Sequence, residues 1–151
     1  MYQTGLSPSG NGCGVLIPIV RRTVFDITAG ANSTNPVILA DRIDTSKYPA
    51  GQLVIRQHSL TSSAFAASCT ARFSVRNMSI SLEEPQTDFV YSSDINSVDF
   101  TSADNAPSFK YCVWGQNQAG PAIRVLMTIL GGATGGQVYQ AYAIDLLLRW
   151  P

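Results

Sequence analysis

Charge is what this sequence has least of. Only 13% of its 151 residues are Asp, Glu, Lys or Arg, and they sum to zero. An ordinary soluble domain carries roughly 25%. A lone monomer usually needs more charge to stay dissolved. The shortage therefore points to a subunit that covers its surface with neighbours, a homo-oligomer. No basic stripe is present either. Arg21, Arg22 and Lys110 are scattered, which argues against a nucleic-acid groove.

Other absences narrow the chemistry. Histidine occurs once, at His58, and cysteine three times, at Cys13, Cys69 and Cys112. No CxxC pair exists, so neither a zinc knuckle nor a thioredoxin-type centre is expected. Widely spaced thiols of odd number fit unpaired cysteines made in a reducing compartment, with one disulfide left open. The apolar runs at 15–20 and 144–148 are too short to cross a bilayer as helices, so no membrane contact is expected. No basic segment leading into an apolar run opens the chain, so no signal peptide is expected. Helical periodicity over three turns is missing throughout.

What is present is alternation. Residues 1–14 are rich in Gly, Ser and Asn and read as a flexible arm. From residue 15 the chain becomes extended and β-branched, with Pro18 marking an edge or a bend. A short strand is predicted over 37–39, and 41–51 reads as a connection. Residues 52–60 alternate, with Leu53 and Ile55 on one side and Arg56 and His58 on the other. In 69–82, Ala71, Phe73 and Val75 keep one parity and Met78, Ile80 and Leu82 the other. Such a phase change predicts a β-bulge near Arg76 and Asn77. Two short strands are predicted at 89–91 and 98–100, then strands at 109–114, 123–129 and 138–150. Short strands with turns at this spacing predict an all-β fold, an antiparallel β-sandwich of jelly-roll-like type. Residues 15–151 read as one domain.

No catalytic centre emerges, and no cofactor or metal is expected. The run of glycines from Gly131 to Gly136 lacks the Lys-Ser/Thr ending of a phosphate loop and leads into a strand, so it reads as a turn. His58 has no Ser or Cys nucleophile and orienting carboxylate at a telling spacing. Asp88, Asp94, Asp99 and Asp104 lack the density of a calcium loop and read as solvated turns. Glu83 and Glu84, adjacent in a strand, would point to opposite faces and make no glycosidase pair. Tyr111, Trp114, Tyr139, Tyr142 and Trp150 suit either core packing or, as an alternative function, an aromatic platform for carbohydrate or cell-surface binding.

The segment from Arg42 to Ser59, with Ile43-Asp44-Thr45-Ser46-Lys47-Tyr48 leading into an apolar strand, and the later Pro85-Gln86-Thr87-Asp88-Phe89-Val90, resembles small β-sandwich structural proteins of phage-like particles. The resemblance covers the central half of the chain. It implies a capsid, capsid-decorating or tail-associated subunit, assembled in the host cytoplasm into a virion. Other virion or shell proteins would then be partners alongside copies of the chain itself. On that reading the contact strands lie at 15–20 and 139–150. Their interface residues are Val15, Ile17, Ile19, Tyr139, Tyr142 and Trp150, with residues 1–14 reaching a neighbour.

Overall fold

The computed structural model describes residues 14–27, 36–58, 69–79, 90–104, 106–115, 118–131 and 139–150. Every regular element among them is a β-strand. They are β1 (Gly14–Asp26), β2 (Val37–Asp44), β3 (Ala50–His58), β4 (Thr70–Ser79), β5 (Val90–Phe100), β6 (Ser108–Trp114), β7 (Ala122–Leu130) and β8 (Tyr139–Arg149). Two four-stranded sheets result, ordered β1-β8-β3-β6 and β2-β7-β4-β5, and every pairing is antiparallel. Consecutive strands jump from one sheet to the other at every step except β4 to β5. This eight-stranded order is the jelly roll, two Greek keys wrapped into a sandwich.

The core follows from period-two alternation. In the first sheet Leu53 and Ile55 of β3 and Ile144, Leu146 and Leu148 of β8 turn inward. In the second, Ala71, Phe73 and Val75 of β4 meet Ile123, Val125 and Met127 of β7. Phe73, Phe100 and Tyr142 form its aromatic centre. Their ring centroids lie 4.8 to 5.8 Å apart and the rings pack edge to face. That arrangement suits the ring quadrupole.

The bulge expected near Arg76 and Asn77 is met as a slip of β4 against β5, while Ile80 and Leu82 lie outside the described residues. Against β5 the register slips between Val75 and Arg76 and again between Asn77 and Met78, while Val75 and Met78 are both buried. The extra residues lie on β5, because Asn96 and Asp94 oppose Val75 and Arg76, skipping Ile95.

Three sequence expectations are corrected. The supposed connection at 41–51 is largely strand. β2 runs on to Asp44 through a register slip between Ala40 and Ile43, where Arg42 takes a positive φ of 55°, and β3 begins at Ala50. A bulge of two charged residues hides the alternation there. The two short strands at 89–91 and 98–100 are one strand, β5. As a sheet edge broken by bulges, it carries a polar middle that reads as a turn. The expected arm at 1–14 ends one residue too late, since Gly14 already pairs with Arg149. An added methyl there would press within 2.8 Å of the Leu148 carbonyl oxygen. Residues 1–13 lie outside the described residues.

The Ile43–Tyr48 phrase proves to be a pinned corner. Asp44 accepts from the Ser46 amide at 2.9 Å and its hydroxyl at 2.6 Å, which lowers the Asp44 pKa. Thr45 donates its hydroxyl to the Gly120 carbonyl at 2.6 Å and its amide to the Pro121 carbonyl at 3.0 Å. The β2–β3 turn is thereby tied to the chain entering β7.

Candidate functional site

Residues paired across neighbouring strands share a face. On the outward face of the first sheet, Leu16 of β1 pairs with Leu147 of β8, and Leu147 with Gln52 of β3. Val54 of β3 lies between Asp145 and Tyr111, and Arg56 between Ala143 and Phe109. The row ends on β6 with Phe109, Tyr111 and Val113, which are 58%, 57% and 51% exposed. Large apolar side chains in a continuous row at this exposure mark an interaction surface. The charges amid the row, Arg56 and Asp145, are bound to each other, with Asp145 largely shielded.

The outward face of the second sheet is dressed differently. Arg72 makes a two-pronged pair with Asp99 at 2.7 and 2.8 Å, and Arg76 pairs with Asp94 at 2.9 Å. Arg124 makes a second forked pair with Asp41 at 2.8 and 3.0 Å. The forked geometry matches guanidinium to carboxylate. Hydrogen bonding to Asp99 raises the Arg72 pKa further. Arg76 and Arg124 face one another across β4 and β7, and each is balanced by its own Asp.

The edge beside β6 is closed by β5. Asn96 donates its side-chain amide to the Val113 carbonyl at 2.7 Å, and Lys110 donates to the Asp99 carbonyl at 2.6 Å. The same Lys110 pairs with Asp104 at 2.7 Å and sits 5.0 Å from the Phe100 ring centre. Burial pushes the Asp104 carboxyl up, but hydrogen bonds from Lys110 and Thr101 outweigh it and leave the pKa lowered. This cluster locks the corner where β5 meets β6.

Titratable groups among the described residues stand in Arg–Asp and Lys–Asp ion pairs. His58 is held below its ordinary pKa by burial and by Arg22 and Arg56. Its Nε2 is buried without a hydrogen-bond partner. Cys69 and Cys112 are buried free thiols, and burial pushes the Cys112 thiol up to about 11. Cys13 lies outside the described residues. Among the described residues no three His, Cys, Asp or Glu side chains gather where a metal would be held, and no helix is long and apolar enough to cross a membrane.

The residues chosen from sequence as contacts are dispersed. Ile17 and Ile19 are half-buried against the protein's own core, and Val15 pairs with the buried Leu148. Tyr142 is corrected outright. It is fully buried at the aromatic centre and has no surface to offer a neighbour. Tyr139 is half-buried, and Trp150 is 50% exposed with its ring 5.9 Å from Tyr48. The aromatic platform also dissolves. Trp114 is buried, with Gly51 as its cross-strand partner, and only Tyr111 of that pair stands in solvent. Phe109 and Val113 are functional candidates that the sequence alone does not point to. Their signal was a strand, Ser108–Trp114, apolar at both parities, which an edge strand with one wet face should not be.

No family model matches the chain, and no curated protein matches it. Solved structures do. The crystal structure of the infectious bursal disease virus VP2 subviral particle superposes with a TM-score of 0.53 at 12% identity. A structure of the Gx strain of the same virus gives 0.51 at 11% identity. Each match covers 99% of this chain. The likeness is one of fold. The chain spans 37% and 38% of those longer chains, little more than a third of their length.

Proposed function

We propose that this protein is a non-enzymatic structural subunit of a virion or phage-like shell, a capsid or capsid-decorating protein of one domain. It acts by self-assembly and by packing against other shell proteins, in a virion assembled in the host cytoplasm. The observation that carries this reading is an eight-stranded jelly roll, among the described residues, whose strand β6 turns a row of large apolar side chains outward. A chain of this composition needs its neighbours to hide that face. In support, the fold is similar to part of the chain in the VP2 subviral particle of infectious bursal disease virus. Neutral net charge and the absence of a basic groove among the described residues argue for contacts with protein and against nucleic acid or membrane.

Sedimentation velocity and negative-stain micrographs of the purified chain test the proposal. Shells, rings or a discrete oligomer are expected at micromolar concentration. A monomer that persists at high concentration and fails to join any particle would overturn it.

A further inference from the structure

We infer that the outward face of the β1-β8-β3-β6 sheet, centred on Tyr111, docks against the same face of a second copy of this chain by side-chain packing, without strand addition. The inference rests on the shell reading above and names the surface and partner that reading leaves open.

Three observations lead there. The first is the contrast between the two outward faces. Three Arg–Asp pairs, at Arg72–Asp99, Arg76–Asp94 and Arg124–Asp41, sit on the β2-β7-β4-β5 sheet. In a chain with so few charges, that face is dressed for water. The opposite face turns Phe109, Tyr111 and Val113 into solvent beside Val54, Leu147 and Leu16.

The second is electrostatic self-complementarity. In a two-fold contact each patch meets its own copy, so an uncompensated charge near the axis meets its like and repels. Here the central charges, Arg56 and Asp145, are already neutralised by one another. Lys110, although on β6, is held away by Asp104 and the Asp99 carbonyl. Two further cations turn to this face away from Tyr111: Arg22 on β1, at the far edge from β6 and near His58, and Arg149 at the end of β8, exposed and bonded to Gln52. A patch of this kind repels neither itself nor a chain of zero net charge.

The third observation decides the mode. β6 ends its sheet and would ordinarily invite another strand. Asn96 occupies the Val113 carbonyl, and β5 is stitched over that edge through Lys110. The edge is covered while the face stays open.

The test uses the full chain in sedimentation-velocity concentration series. The variants are Tyr111→Asp and Phe109→Asp, with Ile38→Asp, half-exposed on β2, as the control. Circular dichroism checks each fold. An aspartate placed on both sides of the two-fold should weaken association by at least about tenfold, while the control leaves it unchanged. Should Tyr111→Asp not fold, Tyr111→Ser replaces it, and hydrogen exchange on the associated wild type must show protection over β6. Wild-type assembly unaffected by the Tyr111 and Phe109 variants would overturn this surface and leave the shell reading standing. A wild type that never associates would overturn both. Glycan-array binding lost in Tyr111→Ala, with sedimentation unchanged, would overturn self-docking in favour of a carbohydrate ligand.

Discussion

At Gly51 the absence of a side chain is a packing requirement. The Trp114 indole lies over this residue from the neighbouring strand, and an added methyl would overlap the ring while nearing the Leu147 carbonyl oxygen to 2.9 Å. Gly51→Ala should therefore destabilise the protein by about 1–3 kcal/mol, the usual cost of overpacking, read from the urea midpoint. Phe73→Ala opens the aromatic centre and should cost about 3–5 kcal/mol by the same measurement. Cys112 adds a pH dependence. Its folded pKa is raised from 9.0 to about 11, so the folded state holds a proton that the unfolded state releases first. The stability it supports is complete below pH about 9 and declines as pH climbs toward about 11. Tyr142, pushed up by burial, extends the decline to higher pH. Urea midpoints should fall across this alkaline window, and Cys112→Ala should flatten part of the slope.

Among the elements, the edges are the telling places. Removing the Asn96 cap uncovers the Val113 carbonyl at the end of a sheet. Asn96→Ala should cost about 1 kcal/mol in urea unfolding and promote irregular high-mass aggregates seen by light scattering, because an uncapped edge recruits strands. Central strands were the most legible in the sequence. β3 alternates strictly and β8 does so from Tyr142 onward because two neighbours fix their register, and Leu53, Ile55, Ile144 and Leu146 fall inside as their parity requires. The β4 phase change was legible too, as Val75 and Met78 both had to be covered. The edge strands β2 and β5 were not. Their bulges at Asp41–Arg42 and at Ile95 break the rhythm, so strand reads as turn. The candidate surface was half legible. Tyr111 was noticed as an aromatic, but period two cannot tell which apolar parity of β6 faces inward. Trp114 and Cys112 took the core because Gly51 makes room for the indole.

For the whole molecule, the proposed self-docking makes the division of charge between its two broad sides the determinant of association. Packing between uncharged faces should respond weakly to ionic strength. The apparent association constant should change by less than about threefold between roughly 0.05 and 0.5 M salt in sedimentation experiments, a range over which contacts between exposed charges are strongly screened. Ammonium sulfate should strengthen association, as it does hydrophobic burial generally.

The unequal dressing of the two sheets has a geometric consequence. A slab that is oily on one broad side and salted on the other has an up and a down. Any wall built from it must choose which way each brick lies, and the choice comes from the brick itself, before a second one arrives.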